Sequence, residues 1–291
     1  DSLKANTTGA GNGAFGYRAL FSNTTGTRNF AFGNEALKAT TTGSYNNAFG
    51  RDALLSNTTG DDNTAIGHEA LKSNTTADSN VAIGKDALKT TTTGDRNVAI
   101  GNDALESHTG AACVAIGFEC MKLNTANSNT AIGAYAMDAN TTGGDNCALG
   151  SQSLGANTTG ASNSAFGVSA LFANTTASYN SAFGGGSLTA NTTGSFMTAV
   201  GYEALNDNTT GQFNTAVGGR ALDLNTTGSY NTAMGVNALG ANTTGSNNTS
   251  IGYASLQNST GSYDTAVGTK ALESNTTGDD NTAVGYNVLN D

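Results

Sequence analysis

One phrase of about seventeen residues recurs along the whole chain and limits the folds open to it. The phrase is N-x-A-h-G-x-x-A-L-x-x-N-T-T-G-x-x, where h is Phe, Ile, Val, Leu or Met, and residues 231–239 begin a well-preserved copy. Aligned on the A-h-G triplet, successive copies are 17 residues apart thirteen times and 16 residues apart three times. A fixed period of this length is typical of solenoids, in which each repeat adds one unit to a stack.

The columns of this alignment separate small, apolar and polar positions. The aligned Gly never varies, and the residue two before it is Ala in each copy except one, which has Ser250. The residue between them, h, is always apolar, and Leu or Met stands four residues after the Gly. The aligned glycines are Gly16, Gly33, Gly50, Gly67, Gly84, Gly101, Gly117, Gly133, Gly150, Gly167, Gly184, Gly201, Gly218, Gly235, Gly252, Gly268 and Gly285.

The spacing of these columns favours strands over helices. N-x-A-h-G alternates like a short β-strand with Asn, Ala and Gly on one face and h on the other, and x-A-L-x predicts a second short strand. The N-T-T-G segment predicts a turn in which Gly supplies a positive φ. Neither strand has a partner within its own repeat, so equivalent strands must pair between repeats. We therefore predict an all-β, parallel β-solenoid (β-roll) with one coil per repeat and with Asn columns that hydrogen-bond along the stack.

The small residues also predict which way the apolar column points. Two small side chains on one face imply a narrow interior, so h is expected to point outward as a continuous apolar ladder. An exposed ladder of that kind needs a cover, and two identical ladders around a common axis would supply it in a homotrimer. The alternative is a monomer in which h points inside.

Composition excludes several classes of protein. The chain has 39 Gly, no Pro, no Trp and only 12% charged residues, which suits a repetitive, turn-rich fold better than a compact core of large side chains. A net charge of −10 argues against nucleic acid as a partner. The chain contains no run of 18 apolar residues, so the sequence does not predict a membrane-spanning helix. The three cysteines are too few and odd in number for a disulfide framework.

Two segments carry a resemblance to known repeats: N-T-A-V-G at residues 214–218 and G-Y-E-A-L at residues 201–205. They resemble the YadA-like or haemagglutinin-type repeats of trimeric adhesin heads. They are more similar still to the N-T-A-h-G-Y-x-A-L-x-x-N-T-T-G arrays of phage tail-fibre-like and bacterial surface proteins. The resemblance covers essentially the whole chain. It implies a left-handed, homotrimeric β-roll in an extracellular, cell-surface or virion fibre.

The function expected on these grounds is structural. We predict a non-catalytic fibre or filament, an adhesin-like or tail-fibre-like shaft with a multivalent surface, that needs no cofactor. The alternative is a binding module that recognises ice or a surface glycan through a Thr/Asn ladder. Expected partners are further copies of the chain, as a homotrimer or joined end to end, and a cell-surface or glycan ligand. Residues 1–291 are expected to form one array of about seventeen coils, uncapped at both ends and part of a longer fibre.

Acidic residues recur in two columns. The first lies two residues after the aligned Gly in six successive repeats, often with Lys three residues later, and predicts a solvated ladder of ion pairs. The second lies in the turn, where Asp61, Asp78 and Asp95 are weak candidates for a Ca²⁺ site because carboxylates one strand spacing apart could share a cation. The members of the first column are Glu35, Asp52, Glu69, Asp86, Asp103 and Glu119.

Two further patterns are compatible with a chemical function, and each also has a purely structural explanation. N-T-T matches the N-glycosylation sequon, although turn formation alone accounts for it. Cys113, Cys120, His108 and Glu119 lie close in sequence and suggest a metal site or a nucleophile, or else small buried substitutes within a drifting repeat. The glycosylation candidates are Asn6, Asn23, Asn57, Asn74, Asn140, Asn157, Asn174, Asn191, Asn208, Asn225, Asn242 and Asn275.

Overall fold

The chain folds into short strands joined by tight turns. A computed structural model describes residues 1–289, and residues 290 and 291, the last two of the expected array, lie outside the described residues. The chain divides into two compact units, the N-terminal unit Asp1–Asp145 and the C-terminal unit Asn146–Asp291.

Each strand is three residues long and covers the x-A-h part of one repeat. Within the described chain, the N-terminal unit contains β1 (Gly13–Phe15), β2 (Phe30–Phe32), β3 (Asn47–Phe49), β4 (Thr64–Ile66), β5 (Val81–Ile83), β6 (Val98–Ile100), β7 (Val114–Ile116) and β8 (Thr130–Ile132). The C-terminal unit contains β9 (Cys147–Leu149), β10 (Ser164–Phe166), β11 (Ser181–Phe183), β12 (Thr198–Val200), β13 (Thr215–Val217), β14 (Thr232–Met234), β15 (Thr249–Ile251), β16 (Thr265–Val267) and β17 (Thr282–Val284).

Strand pairing follows the repeat within each unit. In the N-terminal unit, β3 pairs with β4 in parallel and Ala48 faces Ala65. In the C-terminal unit, β12 pairs with β13 and Thr198 faces Thr215. The register therefore moves by one repeat per strand, and each residue lies against its equivalent in the next coil. The prediction of an all-β, parallel solenoid with one coil per repeat is confirmed in both units.

The interior of a coil is built from small and medium apolar side chains. The middle Ala of the strand is buried, as are the Ala and Leu that follow the aligned Gly, for example Ala36 and Leu37. The h side chain points the other way, and Met234 keeps 43% of its surface exposed. The predicted outward direction of h is confirmed, and the alternative with h inside the coil is wrong.

Two columns of buried asparagines fill the remaining interior, and the predicted hydrogen bonding along the stack is confirmed. In the N-T-T column, Asn225 Nδ2 donates to Asn208 Oδ1 at 2.8 Å and to the Gly228 carbonyl at 3.0 Å. In the N-x-A-h-G column, the Asn46 backbone N–H donates to Asn29 Oδ1 at 2.9 Å. Since buried polar groups are costly unless they are hydrogen-bonded, these ladders satisfy backbone carbonyls and amides that water cannot reach.

The predicted second strand at x-A-L-x is wrong. This segment forms consecutive tight turns, and its Leu, or the Met that replaces it in two coils, adopts a left-handed conformation, with φ of 51° at Leu37. Its backbone still bonds to neighbouring coils, because the Leu37 N–H donates to the Ala53 carbonyl at 3.0 Å. The stacking between repeats was therefore predicted correctly for this segment, although its local conformation was not.

The role assigned to the turn glycine is also wrong. Gly43, in an N-T-T-G-type turn, does not have a positive φ. A Cβ atom there would lie 2.6 Å from the Gly60 carbonyl oxygen of the next coil, so close backbone approach explains the glycine. Positive φ occurs instead at the aligned glycines, with +134° at Gly218.

Candidate functional site

The first acidic column forms ion pairs on the surface of the N-terminal unit. Lys89 Nζ lies 2.7 Å from Glu69 Oε2 and 3.3 Å from Asp86 Oδ1. Lys72 Nζ lies 2.7 Å from the other Glu69 oxygen, and hydrogen bonds from Lys72 and then Lys89 lower the pKa of Glu69 to about 2. The six predicted acidic residues each lie within 4 Å of a Lys or Arg nitrogen. The predicted ladder of ion pairs is confirmed.

Three potential metal ligands come within 4.8 Å of one another at one place among the described residues: Asp52, His68 and Glu69. Basic side chains already compensate this cluster. Arg51 lies 3.6 Å from Asp52 and also contacts the His68 ring, and Lys72 pairs with Glu69. A cation would have to displace these contacts, so ion pairing accounts for the cluster. The sequence did not predict this cluster, although Glu69 and its equivalent Asp52 both lie in the first acidic column.

The three calcium candidates accept hydrogen bonds from the backbone. The Ser44 N–H donates to Asp61 Oδ1 at 2.6 Å, and the Asp61 N–H donates to Asp78 Oδ1 at 2.7 Å. The Asp78 N–H donates in the same way to Asp95 at 2.8 Å. In other coils a serine hydroxyl accepts the equivalent hydrogen bond, as Ser246 does from the Ser229 N–H. The shared property of this column is therefore a hydrogen-bond acceptor and not a negative charge. Calcium binding at these residues stays a prediction.

Most of the sequon asparagines belong to the buried N-T-T column. Asn208 is fully buried, and its Nδ2 donates to Asn191 Oδ1 at 3.0 Å and to the Gly211 carbonyl at 3.1 Å. The nitrogen that would carry the sugar is therefore engaged inside the folded coil, and modification would have to precede folding. Asn6 is exposed and Asn275 is half-buried. Glycosylation stays a prediction, and the fully buried candidates are Asn23, Asn57, Asn74, Asn140, Asn157, Asn174, Asn191, Asn208, Asn225 and Asn242.

The cysteine and histidine cluster consists of side chains that replace members of the interior columns. His108 is buried in the N-T-T column, where its Nδ1 lies 3.0 Å from the Asn124 carbonyl and burial lowers its pKa. Cys113 and Cys120 are free and buried, and burial raises the pKa of Cys120 to about 12. A neutral imidazole and protonated thiols without solvent access favour the structural interpretation of these residues.

The outward face of the C-terminal unit carries a regular threonine column. The first residue of β12 to β17 is Thr, and each of these residues lies in register with the next. The h column runs beside it. The members are Thr198, Thr215, Thr232, Thr249, Thr265 and Thr282. Most members of both asparagine columns are buried, so the Thr part of the expected Thr/Asn ladder is the part available to a ligand.

The C-terminal unit also carries an aromatic ladder that was not predicted from the sequence. The ladder consists of Tyr179, Phe196, Phe213 and Tyr230, which precede the strand Asn or its replacement in four successive coils. Neighbouring ring centroids are 5.0, 5.2 and 5.0 Å apart, with interplanar angles of 13°, 3° and 7°. The signal that could have found it is the run of Tyr and Phe in this one alignment column.

Comparison with models of known protein families gave no match, and comparison with curated proteins gave no significant match. The resemblance to adhesin-head and tail-fibre repeats therefore stays a prediction. Within residues 1–289 we find no helix that is long and apolar enough to cross a membrane.

Proposed function

We propose that this chain is a structural, non-catalytic component of an extracellular fibre, on a cell surface or a virion, and that three copies of it, each a left-handed β-roll, assemble as a homotrimer. Its mechanical role follows from hydrogen bonds that run along each unit from coil to coil. Its repeated turns would present the same surface many times, which favours multivalent attachment to a surface or glycan.

The observation that supports this proposal best is the outward apolar column. In the C-terminal unit, Val217, Met234 and Ile251 follow one another in register on adjacent strands. A single chain leaves such side chains in water, where burial of apolar surface would be worth roughly 25 cal/mol per Å². A threefold axis along the column would bury it against two copies of itself, since identical subunits offer identical ladders.

The mass of the whole chain in solution tests the trimer. Sedimentation equilibrium should give three times the 29.0 kDa of one chain. Val217→Asp combined with Met234→Asp should lower the mass to that of one chain, because charges would be buried at the axis. Val236→Asp is the matched control: Val236 is also exposed but lies outside the h column, and its substitution should leave the trimer intact. A wild-type chain that is monomeric at micromolar concentration would refute the trimer.

The threonine column supports a second candidate function, recognition of ice or of a glycan. It is regular over six coils of the C-terminal unit, whereas the equivalent column of the N-terminal unit contains Phe30, Asn47 and Val81. A regular array of hydroxyl and methyl groups is the feature that a repeating ligand lattice would need. Thermal hysteresis of the whole chain tests ice recognition, and Thr232→Leu should abolish it. Absence of hysteresis, together with no binding on glycan arrays, would exclude this function.

A further inference from the structure

We propose that the aromatic ladder Tyr179–Phe196–Phe213–Tyr230 is a binding site for an elongated, planar, conjugated cation that lies along the stack of coils. The site is independent of the h column that carries the fibre proposal, since three residues separate the two columns within each repeat.

The geometry of the ladder sets the shape of this ligand. The four rings are nearly parallel and stack on one another, so each inner ring turns its faces toward its neighbours and its edge toward solvent. Their exposed fractions are 58, 51, 42 and 59%, in chain order. With aromatic side chains of about 150–250 Å² each, the ladder exposes on the order of 400 Å² of surface. An apolar patch of that size on one chain marks an interaction site.

The chemistry of the ring edges sets the kind of ligand. The exposed ring edges are apolar C–H surface, so a flat π-system laid along the ladder would bury part of each of the four rings. Three strand spacings separate the first ring from the last, roughly 15 Å, which is the length of about three fused or linked aromatic rings. Hydroxyl groups of Tyr179 and Tyr230 end the ladder and suit a ligand with polar ends. The chain's net charge of −10 favours a cation over an anion.

The columns beside the ladder leave it accessible. Ser178, Ser195 and Ser229 precede three of the rings, and threonines of the strands lie two residues after the inner rings. Both kinds of side chain are shorter than an aromatic ring. A planar ligand can therefore reach the ring edges while the flanking hydroxyl groups border it.

The backbone conformation of this column allows the rings to be replaced by asparagine. Each ladder residue has φ between 55° and 63°, and Asn247 occupies the equivalent position at φ 62°. Asparagine tolerates this left-handed conformation better than most residues do. Phe196→Asn and Phe213→Asn should therefore remove the rings while retaining the fold. Asn247→Tyr should lengthen the ladder, because Asn247 separates Tyr230 from Tyr263 in the same column.

Thioflavin T, a planar cationic dye, is the probe. Titrated into the whole chain, it should bind saturably with an increase in fluorescence. Burial of part of one ring against the ligand corresponds to roughly a threefold to tenfold change in affinity, so the double variant Phe196→Asn/Phe213→Asn should bind at least about tenfold more weakly. Asn247→Tyr should bind more tightly. Tyr45→Asn is the matched control, since Tyr45 occupies the same column of the N-terminal unit beside Arg28 and Asp62 and belongs to no ring stack.

Circular dichroism of each variant establishes that the fold is retained. Unchanged affinity of the double variant, or loss of affinity in Tyr45→Asn alone, would overturn the proposal. Absence of dye binding by the wild-type chain would overturn it as well. If that absence came with a lower mass for the double variant, the ladder would instead be covered by another copy of the chain.

Discussion

Substitution of a single aligned glycine, Gly218→Ala, should destabilise the C-terminal unit severely. Gly218 has φ of +134°, in a region that side chains with a Cβ rarely enter. A Cβ atom there would lie 2.6 Å from both the carbonyl carbon and the carbonyl oxygen of Gly235 in the next coil. Those atoms are backbone, so the clash cannot be relieved by a side-chain rotation.

The expected cost has two parts. The unfavourable backbone conformation contributes about 1–3 kcal/mol. Overpacking against the next coil contributes about 1–3 kcal/mol more. The free energy of unfolding should therefore fall by about 2–6 kcal/mol, which is a large fraction of the roughly 5–15 kcal/mol of a typical domain.

The neighbouring glycine is the matched control. A Cβ at Gly219 would have its nearest neighbour, the Tyr202 carbonyl oxygen, at 3.9 Å, and its φ is not positive. Gly219→Ala should therefore be neutral, or stabilising by up to about 1 kcal/mol through the unfolded state. Denaturant unfolding of both variants, with amide hydrogen exchange at Gly235, measures the difference. Exchange localises it, because repeat arrays can open coil by coil. Equal stability of the two variants would refute the argument from backbone approach.

Three further outcomes follow from the interior columns and the ion pairs. Asn208→Leu should lower the free energy of unfolding by about 2–5 kcal/mol, measured in denaturant, because it leaves buried carbonyl and amide groups without partners. Since Lys72 and Lys89 depress the pKa of folded Glu69 from 4.5 to about 2, its stabilising contribution is present above pH 4.5 and lost as the pH falls toward 2. The thermal unfolding temperature should therefore fall as the pH is lowered across that range, and it should fall less in the Glu69→Gln variant. Cys120 should react with a thiol reagent only after unfolding, since it is buried and its pKa is about 12.

Each of these outcomes has a control in the same chain. Asn258→Leu alters an exposed asparagine and should change stability by no more than about 0.5 kcal/mol. Lys72→Met with Lys89→Met should raise the pKa of Glu69 in an NMR titration, and an unchanged pKa would contradict the assigned cause. Cys147 is only half-buried, so it should react with the reagent in the native state faster than Cys120.

A candidate site could be predicted from the sequence where residues of one kind recur in one alignment column, because the residues of a column lie next to one another in the stack of coils. The acidic column from Glu35 onward correctly predicted ion pairs, because its lysines recur at a fixed spacing. The buried state of Asn208 was missed, since N-T-T is equally compatible with an exposed turn. The aromatic ladder was missed because Tyr179 and Phe196 are each unremarkable in a turn, and only stacking brings their rings to a centroid distance of 5.0 Å.

The sequence by itself determined the period, the pairing of equivalent residues and the side of the strand on which each residue lies. The period and the pairing follow from the repeat, and the side of the strand follows from strand alternation, as at Ala233 and Met234. None of the three depends on the conformation of the turns. Only the tertiary structure decided the path between strands. Leucine has no intrinsic preference for a left-handed backbone, yet Leu37 adopts φ of 51°. Its complete burial and the hydrogen bond from its N–H to Ala53 offset a local cost of roughly 1–2 kcal/mol. The burial and the hydrogen bond both depend on the neighbouring coils. The residues around Leu37 in the sequence therefore carry no signal for its left-handed conformation.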